Sequence, residues 1–354
     1  MRRISAALIV LLSLAAPGFA QDPLPERQLL NTRDVDFYGS DLQAIFDTTL
    51  ENCQRACLND AQCTAFTFNA RSNSCFPKSQ IQRQTAYEGA ISGEVLTVPK
   101  ARHDLARRRA GELERLRDSD FDAARTQSQM LGAQTLAGSW DLETAREAYA
   151  DRLSYGDKIG AYDWLGVVLA LSGEPALWID YAALTQQAYD YADNNRNASD
   201  RRRELRDAVL PSAINAYLRQ SDDQGRAAAL VTLAKALETL DRGRDSLPAL
   251  QLAQSLAPND GRIAEQLERA EGLYGFRITG NEVESDIALP RICAEFSEPL
   301  ARAGVDYSNY VSLPDTAANA GLAVTAQDRA LCIEGVTHGA RYSLTFRKGL
   351  PDAL

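Results

Sequence analysis

The cysteines constrain this chain more than any other feature. Cys53, Cys57, Cys63 and Cys75 crowd into one short stretch, and Cys293 and Cys332 stand far downstream. How they read depends on the compartment, and the opening residues bear on that. Arg2 and Arg3 precede an apolar run from Ile4 to Leu14, and Gly18-Phe19-Ala20 supplies small residues where a signal peptidase cuts. The run is shorter than the roughly 20 residues a membrane span requires. Residues 1–20 therefore read as a signal peptide cleaved near Ala20, with delivery to the periplasm or the exterior. No later segment is apolar enough to span a bilayer. In such a compartment paired thiols become disulfides. A four-thiolate zinc site favours two-residue spacings, whereas the four clustered cysteines are separated by three, five and eleven residues. The expectation is disulfides at all six, with no metal or other cofactor.

A chain of 354 residues exceeds one ordinary core and predicts several domains. Its net charge of -10 repels phosphates, so nucleic acid is not an expected partner. Composition divides the rest into a Cys- and Thr-rich part, an Ala-, Leu- and Arg-rich part with helical spacing, and a part alternating apolar and polar residues. The predicted class is multidomain α+β: a small module over residues 27–99, an all-α region over 101–275 and a partial antiparallel β-sandwich over 276–354.

Within the first module, Thr48 or Thr49 is placed to cap a helix with Glu51 in its first turn. Cys53 and Cys57, four apart, share one face of that helix. Cys63 to Asn69 alternates as a strand, Asn69 to Asn73 reads as a turn, and Cys75-Phe76 opens a second strand. These residues alone leave three pairings of the four cysteines open. The stretch resembles the PAN/Apple module in Gly39-Ser40-Asp41-Leu42, in the helix Cys53-Gln54-Arg55-Ala56-Cys57, in the segment Asp60-Ala61-Gln62-Cys63-Thr64-Ala65-Phe66-Thr67-Phe68-Asn69, and in Cys75-Phe76-Pro77-Lys78. That resemblance implies bridges Cys53 to Cys75 and Cys57 to Cys63. It also implies binding of protein or carbohydrate without catalysis.

Helix breakers punctuate the middle region at Ser172-Gly173-Glu174-Pro175, Asp193 to Ser199, Ser221-Asp222-Asp223, Asp241-Arg242-Gly243 and Pro258-Asn259-Asp260-Gly261. One stretch resembles a tetratricopeptide (TPR) repeat. Leu230, Leu233, Ala234 and Leu237 form one face, Ser246, Leu250 and Ala253 the next, and Pro258 closes the unit ahead of a capping helix from Ile263 to Tyr274. Tyr162, Leu165-Gly166, Leu169 and Gly173 fit the first half of another. The expected role is a rigid spacer. The aromatic-rich segment Trp178 to Tyr191 reads as a core stripe.

In the third part, Arg291-Ile292-Cys293-Ala294-Glu295-Phe296-Ser297-Glu298-Pro299-Leu300, Leu331-Cys332-Ile333-Glu334-Gly335-Val336 and Tyr342-Ser343-Leu344-Thr345-Phe346-Arg347-Lys348-Gly349-Leu350-Pro351 follow in order. Val305-Asp306-Tyr307 and Tyr310 to Leu313 read as further strands. Cys293 and Cys332 lie in strands that could be neighbours, and a bridge between them is expected. This block resembles the first macroglobulin-type sandwich of bacterial alpha-2-macroglobulin-like proteins. The resemblance implies a periplasmic protease-trapping inhibitor with proteases among its partners. Neither a bait segment nor a thioester is matched, since Cys293-Ala294-Glu295-Phe296 lacks the required Gln. A sandwich of this type has about seven strands, and the pattern reads as an incomplete one from a longer protein.

Catalytic groups are not expected. Hydrolytic nucleophiles pair with a base, most often His, and the only histidines are His103 and His338. His103 reads as part of a solvated basic helix face between Lys100 and Arg117, and His338 as a solvated turn residue. No phosphate-binding glycine loop occurs. Asn197-Ala198-Ser199 fits a glycosylation sequon and reads as an incidental loop. The main expectation is the targeting, spacing and recognition part of a protease-trapping protein. The alternative is an adhesion or carbohydrate- or protein-binding protein that works through its PAN module.

Overall fold

A computed structural model describes residues 22–131, 142–172, 174–195, 199–301, 304–312 and 322–353. The predicted signal peptide and Asn197-Ala198 of the sequon lie outside the described residues. Contacts divide the chain into two compact units, Met1–Leu267 and Glu268–Leu354.

The first unit opens with an antiparallel sheet and one helix. The strands are β1 (Arg27–Tyr38), β2 (Ala65–Asn69), β3 (Ser74–Lys78) and β4 (Arg83–Thr97), in spatial order β1-β4-β2-β3, and α1 (Leu50–Asn59) lies in the chain between β1 and β2. Thr49 caps α1, its Oγ1 accepting from Asn52 N at 3.2 Å. The last turn of α1 carries no basic residue of its own. Arg27 from β1 fills that role, donating to the carbonyls of Cys57 at 3.2 Å, Leu58 at 2.9 Å, Asp60 at 2.7 Å and Cys63. It thus satisfies carbonyls that a helix end leaves unpaired. Strand alternation sends Phe66, Phe68 and Cys75 to the α1 side, where they join Leu29, Cys53, Cys57 and Cys63 in a buried core. Gly93 sits opposite Phe66, and a Cβ there would lie 2.3 Å from the ring. The ring occupies the space a side chain would take.

Nine helices follow among the described residues: α2 (Lys100–Ala110), α3 (Asp118–Met130), α4 (Leu142–Ser154), α5 (Lys158–Ser172), α6 (Leu177–Asn194), α7 (Ser199–Leu218), α8 (Asp223–Thr239), α9 (Gly243–Leu256) and α10 (Gly261–Tyr274). Each breaker segment read from the sequence separates two of them. Asp222, in one such segment, caps α8 by accepting from Gly225 N at 2.8 Å. Leu230, Leu233, Ala234 and Leu237 of α8 and Ser246, Leu250 and Ala253 of α9 are all buried. In the aromatic segment of α6, Trp178 and Tyr181 are buried, Tyr181 stacking on Tyr162 of α5 with ring centres 5.1 Å apart, whereas Tyr191 is exposed. His103 departs from its solvated reading. It is buried on α2, with Nδ1 3.0 Å from an Asp22 carboxylate oxygen, because the segment before β1 covers that face.

The second unit holds β5 (Ile278–Glu284), β6 (Arg291–Phe296), β7 (Val311–Ser312), β8 (Ala323–Gln327), β9 (Ala330–Glu334) and β10 (Thr345–Phe346). One antiparallel sheet runs β5-β6-β9-β8, and β7 pairs with β10 in a two-stranded ribbon. Ala294, Phe296, Leu331 and Ile333 of the larger sheet share a core with Val311, Leu344 and Phe346. Of the long strand expected from Tyr342 onward, Thr345–Phe346 forms a strand, paired with Ser312 and Val311. The alternation survives: Tyr342, Leu344 and Phe346 are partly buried while Arg341, Ser343 and Thr345 are exposed. The expected strand around Val305 to Tyr307 gives way to a 3-10 turn over Tyr307–Tyr310, nucleated by the Asp306 carboxylate accepting from Ser308 N at 3.1 Å.

Candidate functional site: a cleft on the N-terminal sheet

Each cysteine is joined to another. Cys53 of α1 is bonded to Cys75 of β3, Cys57 of α1 to Cys63 just before β2, and Cys293 of β6 to Cys332 of β9. The first two fasten the helix to one side of the N-terminal sheet, and the other side carries no disulfide.

That other side is shaped by a bend. Arg33 pairs with Ile91 and Val35 with Ala86, so Asp34 stands against residues 87–90 of β4. Asp34 and Gly89 take positive φ angles of 60° and 87°, and Gly89 N donates to Asp34 Oδ1 at 2.8 Å. This bulge turns the ends of β1 and β4 out of register with the plane of the sheet. The end of β1 folds over the free face: Phe37 N donates to Thr67 Oγ1 at 3.0 Å and Ser92 Oγ at 3.3 Å. Those two hydroxyls are cross-strand partners 2.7 Å apart, and Ser92 Oγ also donates to Val35 O at 2.7 Å. Phe37 is thereby buried against the sheet.

Between the folded-over strand and the free face lies a cleft of about 410 Å³. Thr67, Phe76 and Lys78 form its floor, the Tyr38–Asp41 turn forms one wall, and Tyr87 stands at its mouth. Gly39 and Ser40 shape that turn with φ of 121° and 42°. Gln82 N donates to Tyr38 O at 2.9 Å and Ser79 N to Ser40 O at 3.0 Å, fixing the turn to the sheet. The Lys78 side chain is 5% exposed, and its ammonium is paired with Asp41, itself half exposed. A buried ammonium needs such a counter-charge, so the pair gives the cleft a fixed dipole. Tyr38 is 56% exposed and Tyr87 43%. The Arg83 guanidinium lies 5.0 Å from the Tyr38 ring centre and steadies it.

The cleft offers aromatic faces, carboxylates and one held cation, a set suited to binding. The histidines are elsewhere, His103 buried on α2 and His338 exposed in a turn. Among the described residues no group of three or more His, Cys, Asp and Glu side chains is arranged to hold a metal ion. Sequence reasoning quoted Asp41, Thr67, Phe76 and Lys78 for their resemblance but did not assemble them into a site, and it missed Tyr38 and Tyr87. Tyrosines flanking a glycine turn and a strand bulge were the available signal.

The comparisons with known proteins meet this geometry at the same place. Residues 29–100 match the PAN domain family. This module is a PAN domain. The chain is 33% identical over 48 residues to a putative receptor protein kinase, ZmPK1, from Zea mays. That match covers 14% of this chain and 6% of the relative's length. PAN domains mediate protein or carbohydrate binding, and the disulfides are consistent with a secreted or extracellular protein. Among the described residues no helix is long and apolar enough to cross a membrane.

Proposed function

We propose that the chain is an exported binding protein without catalysis of its own, whose PAN domain takes a carbohydrate in the cleft over Thr67, Phe76 and Lys78. The observation that carries this reading is the pair of exposed tyrosine rings, Tyr38 and Tyr87, at the mouth of a cleft with a polar, charged floor. Sugars present apolar C–H faces to aromatic rings and hydroxyls to carboxylates and amides. The cleft volume falls in the range of about 300–1,000 Å³ common for small-ligand sites. The helical region then serves as a spacer. A glycan array probed with the full chain tests the proposal. Retention of a defined glycan set, with at least tenfold weaker binding for Tyr38→Ala, is the expected result. A chain that binds no glycan but captures a protein through the same tyrosines would replace carbohydrate by protein.

A second reading, a protease-trapping protein of the alpha-2-macroglobulin-like kind, draws support from the second unit. Two of the three motif strands, β6 and β9, lie side by side with Cys293 paired to Cys332, and β10 from the third contributes to the same core. Incubation with a panel of proteases tests it. A trapping protein is cut and then travels with the protease in gel filtration, and no such complex forms on the binding-protein reading alone.

A further inference from the structure

One charged cluster is not absorbed by the PAN cleft. Ser212, Asn215 and Arg219 share a face of α7, spaced three and four residues apart. Ser212 and Asn215 are fully buried and run a polar seam against α3. Gln127 Nε2 donates to Ser212 Oγ at 2.8 Å, and Asn215 Nδ2 donates to Gln127 Oε1 at 3.1 Å and Ala124 O at 2.7 Å. The seam ends at Arg219. Its guanidinium donates to Asn215 Oδ1 at 2.6 Å, Asn215 O at 3.0 Å and Ser128 Oγ at 2.6 Å, and lies 4.2 Å from the centre of the Trp178 ring.

Every one of those partners is neutral, and among the described residues no carboxylate pairs with Arg219. Desolvation pushes the guanidinium down to about 9, and the charge of Arg102 on α2 adds to the effect. Arg102 likewise has no hydrogen-bond acceptor or ion-pair partner for its side chain among the described residues. Both line one small cavity, together with Ser128, Trp178, Gln28 and Leu29. Two like charges converging on an enclosed space without a counter-charge are costly to hold there. The cavity measures about 20 Å³, room for one water-sized particle and too little for a carboxylate or phosphate group.

We propose that this cavity binds a single monatomic anion, chloride, between the guanidiniums of Arg102 and Arg219. The ion neutralises the pair and receives a hydroxyl or amide hydrogen from Ser128 or Gln28. Because Gln28 and Leu29 belong to β1, the bound ion ties the PAN domain to α2, α3 and α7. Chloride then acts as a structural ligand that stabilises the folded unit by mass action.

Bromide, which scatters anomalously, is the direct probe. Crystals of the full chain grown in sodium bromide are expected to show an anomalous peak within hydrogen-bonding reach of both guanidiniums, and crystals of Arg102→Gln are expected to lack it. In solution, replacing sodium gluconate by sodium chloride at constant ionic strength is expected to raise the unfolding midpoint saturably by about 2–4 °C. Arg102→Gln, a change at a partly buried position, is expected to abolish that rise while the protein stays folded. A cavity without a bromide peak overturns the proposal, and so does a chloride response of equal size in the variant.

Discussion

The PAN domain and the second unit are both antiparallel sheets braced by disulfides, yet the bridges do different work. In the PAN domain they join layers: Cys53 to Cys75 links α1 to the sheet, and Cys57 to Cys63 closes the turn that leads from the helix into β2. In the second unit Cys293 and Cys332 face each other in register on neighbouring strands of one sheet. Its second layer, β7 and β10, is held by side-chain packing, chiefly Phe346 edge-on to Phe296 with ring centres 5.5 Å apart. Coverage follows the same division. On its α1 side the PAN sheet buries Leu29, Phe66, Phe68 and Cys75, whereas β5 leaves Ile278 and Val283 about half exposed. A covalent tie between layers lets a very small module keep one face for packing and leave a cleft on the other.

Removing the bridges tests that contrast most severely. Closing the Cys53–Cys75 loop is worth about 3–4 kcal/mol of chain entropy, so Cys53→Ser with Cys75→Ser is expected to destabilise the PAN domain by that amount. Hydrogen exchange should show α1 losing protection first. Cys293→Ser with Cys332→Ser costs a similar amount by loop length, but β6 and β9 should exchange no faster relative to their neighbours, because their ladder persists. Loss of register there would show that the bridge holds more than the chain ends. Next in size is Gly93→Ala. The added methyl meets the Phe66 ring and Asn31 Oδ1 at 2.6 Å or closer, and overpacking of this kind costs about 1–3 kcal/mol, read from denaturant unfolding.

Smaller effects separate the two kinds of bracing further. Phe346→Ala should loosen the second unit by about 1–2 kcal/mol, below a full core truncation because Phe346 is partly buried. Chemical-shift changes should centre on Phe296. Thr49→Ala should cost about 1 kcal/mol through loss of the α1 cap. With the bridges intact, that loss should leave the disulfide-tied end of α1 in place and show only as faster exchange in its first turn.

Local signals were legible where they acted alone. The α1 cap and the breakers between helices are short-range chemistry, readable from a few consecutive residues. The longest strands of the PAN domain were not read as strands. The period of β1 is interrupted at Asp34, and β4 carries Gly89 and Gly93, one in a bulge and one beneath a ring. Both interruptions are required by partners distant in the chain. His103 misled for a related reason, since its burial depends on Asp22 reaching α2 from outside the helix.

What the residues by themselves decided was the inventory: where helices stop, which cysteines were available for bridging, which positions alternate, and a net charge of -10. What tertiary structure decided was the cleft and the unneutralised arginine pair. Tyr38, Lys78 and Tyr87 become one surface only because a bulge folds β1 across the sheet. Arg102 and Arg219 line one cavity only because α2 and α7 pack together. Proximity of residues far apart in sequence is set by which apolar faces bury each other, and no stretch of chain encodes that alone.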